Sequence, residues 1–374
     1  MSRKRVIYQS EAIFVGPSGG GATGIGGGPA SATYGLTKQL NRVQSANYSF
    51  NIARQNVNQF GQIGAIDQVI LEAPTVSLDF SYYANSGENE TILGLAVDSS
   101  AGGSGIPALR NILSGGASAQ DTKNYYIVVA PEGTDANLNE LDVTGNGKVI
   151  GIGNAGLTSY SINAAVGGFP TVSVSAEGLN MRFYDATTGT VPAINPADGN
   201  NATGIFAISG LTTGAGYTAL RPGDITVTFS GAKGVVEEDL KIQDFTISFD
   251  LGRDPIQKLG NRFAFSREIT FPVTVSASIN AVLGEIEAEN LASVIASDCA
   301  DADLTVNMLS PLACEGGAQK RALSYTLRGA KLTSQSFTSS IGANKSISLQ
   351  YSAFLGGPSE TAKGLFIGVP TGIN

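Results

Sequence analysis

The sequence has no histidine, no tryptophan, two cysteines and little charge: Asp, Glu, Lys and Arg make up 14% of its 374 residues. Each shortage excludes something. Without histidine the chain lacks the commonest general base, proton shuttle and metal ligand. A serine nucleophile would then need a rarer base such as lysine. Cys299 and Cys314 are too few for a disulfide framework, a reducing cytoplasm disfavours their pairing, and two cysteines without histidine make a weak metal site. No apolar run reaches the roughly 20 residues that span a bilayer. The opening MSRKRVIYQSEAIFV starts basic but carries only a short mixed apolar run, unlike a secretory signal. The expectation is a chain made and kept in a cytoplasm, not an enzyme, with no cofactor, no bound metal and no membrane partner.

The net charge of −8 disfavours nucleic-acid binding, which depends on Lys and Arg to neutralise phosphates. It suits a surface past which nucleic acid moves without being held. Scarce charge beside 42% hydrophobic content points to a protein that covers much of its surface in an assembly, since monomers keep more charge for solubility. Glycine is abundant, at 48 residues, and Ser, Thr, Asn and Val are frequent. β-Branched residues fit a pleated surface, and Gly and Asn supply turns, so the composition predicts a mainly β fold.

The chain carries an internal repeat, the first feature to seek in a sequence of this length. A shift of 199 positions lays Val43–Phe80 without a gap on Ile242–Ile279, Arg54 falling on Arg253. Gln44, Ser49, Phe50, Arg54, Gly61, Ala65, Ile70, Thr75, Val76 and Ser77 recur as identical residues. Within each copy two stretches alternate with period two, the mark of half-buried strands. Tyr48, Phe50 and Ile52 oppose Asn47, Ser49 and Asn51; Val76, Leu78 and Phe80 oppose Thr75, Ser77 and Asp79. In the second copy Ile247, Phe249 and Leu251 oppose Thr246, Ser248 and Asp250, and Val275, Ala277 and Ile279 oppose Thr274, Ser276 and Ser278. The less periodic segments between, RQNVNQFGQIGAID from Arg54 and RDPIQKLGNRFAFS from Arg253, read as extended hairpin tips. Gly61 and Gly260 would serve turns with positive φ.

The correspondence continues. Tyr125–Pro131 matches Thr305–Pro311 at a shift of 180, and Leu157–Val174 matches Leu332–Leu349 at 175. Each unit reads as hairpin, helix, strand, hairpin, with short helix candidates at 87–95, perhaps extended by SGIPALRNIL, and at 284–297. The organisation is a strand and Gly-rich arm (1–39), a first β domain (40–180), a connecting segment or small insertion (181–238), a second β domain (239–356) and a C-terminal extension (357–374). The expected architecture is two tandem β-sandwich or partial-barrel domains, each with a short flanking helix.

Other candidate sites read as ordinary structure. The Gly-rich run 16–35 lacks the P-loop lysine and reads as a flexible arm. The stretch 142–153 places Asp142, Thr144, Asn146 and Gly147 like the start of a calcium loop, but its twelfth position is Gly153, where a bidentate glutamate is needed. Asp298, Asp301 and Asp303 read as a solvated loop. For Arg54 and Arg253, at the entry to each tip, a salt bridge or carbonyl contact within the hairpin and a contact to a neighbouring subunit stay open.

The unit NYSFNIARQNVNQFG…VILEAPTVSLDFSYY, followed by a short helix and further strands, resembles the major tail tube proteins of long-tailed bacteriophages, and the opening MSRKRVIYQSEAIFVG is similar to starts of such virion structural proteins. The resemblance implies a small β-sandwich or partial barrel, rings of six such domains stacked into a tube, and a long loop reaching the next ring. Two units in one chain then imply a homotrimer whose ring is pseudo-hexameric, residing in the virion tail after assembly in the host cytoplasm. Its partners are further copies of itself and other tail proteins, and DNA passes through it during ejection without specific binding. Inter-ring contacts fall on the tips, at Arg54, Asn56, Asn58, Gln59, Phe60, Arg253, Ile256, Gln257, Lys258 and Leu259. Lumen candidates lie on the polar strand faces, at Asn47, Asn51, Asp79, Asp250, Ser276 and Ser278, with Ser49, Thr75, Ser77, Thr246, Ser248 and Thr274 beside them. Competing readings are a tail terminator, a capsid decoration protein and a β-rich surface protein or adhesin.

Overall fold

The computed structural model describes residues 11–17, 38–98, 105–114, 121–130, 136, 148–185, 220–230, 232, 239–260, 262–286, 302–309, 321–342 and 344–368. Most of the Gly-rich arm, Asp142–Gly147, Asp298, Asp301, both cysteines and the helix candidate beyond residue 286 lie outside them.

The described chain is mainly β. Its first half runs β1 (Glu11–Pro17), β2 (Lys38–Gln39), β3 (Val43–Asn51), β4 (Arg54–Val57), β5 (Asp67–Ile70), β6 (Thr75–Tyr83), α1 (Glu88–Leu93), β7 (Val97–Asp98), α2 (Arg110–Leu113), β8 (Thr122–Val129), β9 (Lys148–Ala165), β10 (Thr171–Gly178) and β11 (Asn180–Asp185). The second runs β12 (Ile225–Thr228), β13 (Lys241–Asp250), β14 (Arg253–Ile256), β15 (Ser266–Ile269), β16 (Thr274–Val282), β17 (Ala302–Leu309), β18 (Arg321–Thr338), β19 (Ser346–Phe354) and β20 (Gly364–Gly368). The short helix after the first hairpin falls where the sequence places it. It begins and ends on Gly87 and Gly94, both with positive φ.

The strand order of one half recurs in the other. β3-β6-β10-β9-β8 corresponds to β13-β16-β19-β18-β17, and all of these contacts are antiparallel. Turn glycines recur as well: Gly61 and Gly260 have φ of 86° and 88°, and Gly167 and Gly342 have 89° and 86°. The positive φ expected at the two tip glycines is therefore present. The halves do not form separate sheets. β13 pairs with β9 from Asp244↔Ala165 to Asp250↔Ser159, giving the continuous run β18-β19-β16-β13-β9-β10-β6-β3.

β9 and β18 are each 18 residues long and serve two neighbourhoods. The first part of β9 pairs with β8 and β11, and the last part with β10 and β13. β18 likewise meets β17 and β20 early and β19 late. The connecting segment and the tail are thus partly sheet: β11 joins β9, β12 joins β17, and β20 joins β18 and, in parallel, β7.

The apolar sides of these strands meet in one core cluster that draws on both halves. In β6, Val76, Leu78, Phe80 and Tyr82 are buried while the residues between them are not. Phe80 meets Tyr125 of β8, a strand to which β6 is not hydrogen-bonded, with ring centroids 6.0 Å apart, so side chains of separate strands interlock across the core. Burying large aromatic and aliphatic side chains stabilises such a core by about 1.5–3 kcal/mol each.

One acid sits inside this core. Glu90 of α1 is 1% exposed. Its Oε1 accepts hydrogen bonds from the hydroxyls of Tyr82 (2.9 Å), Tyr160 (3.1 Å) and Tyr325 (3.4 Å), and the last two hydroxyls lie 2.7 Å from each other. The tyrosines come from β6, β9 and β18, so the cluster ties the two halves together. Loss of solvation raises the carboxyl above its ordinary 4.5, against the opposing pull of the tyrosine hydrogen bonds. A carboxyl whose folded value is raised favours folding fully below the unfolded value, and that contribution falls as pH rises through the folded one. Glu90→Gln should therefore flatten the decline of stability with rising pH above about 4.5, measured by urea melts across pH. Glu90→Ala, which strands buried hydroxyls, should cost about 1–3 kcal/mol at every pH.

Candidate assembly site

The eight-stranded run has one apolar face, turned to the core, and one polar face. Serines form a row across the polar face: Ser45, Ser81, Ser173, Ser161, Ser248, Ser276 and Ser352 are successive cross-strand partners on seven strands. A second row runs Asn47, Asp79, Ser175, Ser159 and Asp250. The hydroxyls satisfy one another, with Ser45 and Ser81 Oγ 2.6 Å apart and Ser49 and Ser77 Oγ 2.8 Å apart. Asn163 Nδ2 donates to Thr246 Oγ1 at 2.9 Å, and Gln350 Nε2 to Ser278 Oγ at 2.9 Å. The six lumen candidates Asn47, Asn51, Asp79, Asp250, Ser276 and Ser278 all lie on this face, together with Ser49, Thr75, Ser77, Thr246, Ser248 and Thr274. Asp79, Glu177, Asp244 and Asp250 bring carboxylates to it, and Lys331 opposite Ser352 brings an ammonium. Neutral hydroxyls and amides predominate.

The hairpin tips stand apart. β4–β5 and β14–β15 are two-stranded ribbons, each a separate sheet. Their ends expose large apolar side chains: Phe60, Ile63 and Leu259 are fully exposed, and Ile66, Phe265, Val57 and Ile256 are exposed as well. Asn56, Asn58, Gln59, Gln257 and Lys258 are exposed beside them. Such a concentration of exposed apolar side chains is unusual on a soluble surface.

The two tip arginines differ. The Arg253 side chain is fully buried. Its guanidinium forks onto Asp121, with Nη2–Oδ1 at 2.5 Å and Nη1–Oδ2 at 3.1 Å. Nε donates to the Leu157 carbonyl at 2.7 Å and Nη1 to the Arg267 carbonyl at 3.0 Å. Gly156 makes room, since a Cβ there would lie 2.4 Å from Arg253 Cζ. For Arg253 the expected carbonyl contact within the hairpin is present, to Arg267, while its ion pair is to Asp121, outside the hairpin. Arg54, its sequence counterpart, is exposed. Beside this pair, Arg267 Nη1 donates to Glu177 Oε2 at 2.6 Å.

The strand edges show a matching asymmetry. β13 has β16 on one side and β9 on the other, and its Ile247 and Phe249 are 0% and 2% exposed. β3, its counterpart, pairs with β6 alone among the described strands, and Phe50 is 56% exposed. At the far end, Ser336, Phe337 and Thr338 of β18 pair only with β19 among the described strands. Phe337 is 47% exposed where its counterpart Ile162 is 0%. The alternation in β3 correctly separates polar from apolar faces, but Phe50 does not enter a core because no described strand lies beyond it.

Residue periodicity did not reveal the β9–β13 pairing, Asp121 as partner of Arg253, or Glu90 among its tyrosines. The repeat held a partial signal, since Asp121 lies near a boundary of the matched segments. No protein-family model matches the chain, and no curated protein sequence matches it. Among the described residues no group of three or more His, Cys, Asp or Glu is placed to hold a metal ion.

The arginine contrast is testable. Arg253→Ala strands a partly exposed carboxylate and two carbonyls and should cost about 1–3 kcal/mol in a denaturant melt of the dispersed protein. Arg54→Ala should change the same melt by no more than about 0.5 kcal/mol.

Proposed function

We propose that the chain is a tail tube subunit of a long-tailed bacteriophage, with a duplicated tube domain, and that copies join head to tail into closed rings that stack along an axis. The observation that carries this reading is the β9–β13 seam. It joins one unit to the next by ordinary sheet pairing, while the same two edges, on β3 and on β18, have no further partner among the described strands at the two ends of the eight-stranded run. Open, partly apolar edges invite aggregation, and closure into a ring removes them. Interfaces of this head-to-tail kind close into rings when the rotation permits.

The polar face supports a lumen. Three copies would contribute three eight-stranded runs. At ~4.8 Å per strand, the resulting twenty-four strands make a circumference of about 115 Å and a diameter of at least about 37 Å, wide enough for a duplex of roughly 20 Å. A wall of hydroxyls and amides with scattered carboxylates offers DNA few of the cations needed to hold it, so DNA passes through during ejection without specific binding. The apolar tips, β4–β5 and β14–β15, lie outside the main sheet and are free to reach a neighbouring ring. The protein then resides in the virion tail, with further copies of itself and other tail proteins as partners.

Electron microscopy of the purified protein tests the reading. Stacked rings with threefold or pseudo-sixfold symmetry and an axial channel are expected. Isolated monomers at every concentration, or particles capped at one end, would sink it. Replacing 58–66 and 257–265 with short turns should leave the circular dichroism spectrum and the rings intact while abolishing tubes. Normal tubes from that variant would show that the tips do not connect rings.

A further inference from the structure

The internal seam also specifies the register between copies. Within the chain, Leu251 N donates to the Thr158 carbonyl at 2.6 Å and Val166 N to the Gln243 carbonyl at 2.9 Å. Residues two apart from these along the strands are therefore hydrogen-bonded pairs, which places the polar pairs Ser248↔Ser161 and Thr246↔Asn163 at the closer, non-hydrogen-bonded positions. The correspondence that carries β13 onto β3 (199 positions) and β9 onto β18 (175 positions) is confirmed strand by strand. Val174↔Tyr160 becomes Leu349↔Gln335, and Thr171↔Asn163 becomes Ser346↔Thr338, both observed.

We infer that β3 of one copy adds to the β18 edge of a second copy in the register that sets Asn47 opposite Thr338, Ser49 opposite Ser336 and Tyr48 opposite Phe337. The inference rests on the ring reading for its partner, a second copy of this chain, and on the internal seam for its geometry. Three observations favour this register. First, Asn47 and Thr338 are the residue types of Thr246 and Asn163 exchanged across the seam, so the amide-to-hydroxyl hydrogen bond seen at 2.9 Å inside the chain is recreated with donor and acceptor strands swapped. A slip of two residues sets Asn47 against Ser336 or Ser340 and loses that exchange. Second, Ser49 opposite Ser336 repeats Ser248 opposite Ser161 and joins the pair Ser77 and Ser49 of one copy to the pair Ser336 and Ser348 of the next. Third, Tyr48 and Phe337 meet where Ile247 and Ile162 meet inside the chain, which covers the half-exposed Phe337 ring. The same alignment brings Arg54 to the Leu332 carbonyl, the counterpart of the Leu157 carbonyl that Arg253 holds. This gives the exposed arginine a partner on the second copy.

Disulfide trapping between two chains tests the register. The full chain carrying Cys299→Ser and Cys314→Ser is made in three forms, with Asn47→Cys, Thr338→Cys or Ser336→Cys. Mixing the Asn47→Cys and Thr338→Cys chains under mild oxidation should give a linked dimer, because non-hydrogen-bonded antiparallel pairs have the Cα spacing a disulfide requires, and at least about tenfold more of it than the Asn47→Cys and Ser336→Cys mixture. All three positions lie outside the core, and an unchanged thermal melt of each form confirms folding. Equal or greater linkage in the shifted mixture overturns the register. Linkage as strong in the Asn47→Cys chain alone shows β3 pairing with β3 and overturns the head-to-tail contact. If rings appear by microscopy without the 47–338 link, the register fails while the ring reading survives. If the link forms but the products are an open ladder with no closed species, the register stands and ring closure fails.

Discussion

A backbone strand inside a protein needs hydrogen-bond partners on both sides, and this requirement organises the molecule. The seam between β9 and β13 meets it for two strands that would otherwise be edges, one from each half. It also turns two similar units into a single sheet with a single core. The consequences appear side by side in related residues: Phe249 is buried and Phe50 exposed, Ile162 buried and Phe337 exposed. Whether a side chain is core or surface is decided here by what lies beside its strand more than by its own hydrophobicity.

The seam is reinforced by groups that act off the sheet. Arg253 ties the root of the second tip to Asp121 and to a carbonyl of β9. Glu90 gathers tyrosines from β6, β9 and β18. Both are buried polar arrangements, which contribute little net stability when complete and cost a great deal when broken. Their physical effect is to make one relative placement of the halves much better than any other. The tips carry no such ties at their ends, and their apolar side chains face outward.

Much of this was legible in the sequence. Period-two alternation located β3, β6, β13 and β16 and separated their faces correctly, because the side-chain period of a strand is fixed by its geometry. The repeat identified the paired hairpins β9–β10 and β18–β19 through LTSYSINAAVGG and LTSQSFTSSIGA, and the glycine at each tip. What it did not reveal was lateral order. Alternation says which face a residue occupies and is silent on which strand lies next to it, so the β9–β13 seam and the exposure of Phe50 were out of reach. Asp121 and Glu90 were hidden for a related reason. Their partners, Arg253 and Tyr325, lie 132 and 235 residues away, and no local pattern marks an acid destined for burial. The connecting segment and the C-terminal extension read as straps because their strands, β11, β12 and β20, are short and each joins a distant element.

The space that Gly156 leaves for Arg253 has a mechanical consequence. At the corresponding place in the second half stand Ala330 and Lys331, so the cavity that admits a guanidinium against the backbone is not repeated. The seam inside the chain is therefore clamped by a buried arginine, whereas a seam between chains, as proposed, would have Arg54 on a carbonyl without that buried pocket. The proposed ring would then alternate stiff and compliant joints, and under bending load it would yield at every second seam, with threefold compliance in a wall whose strands repeat almost sixfold.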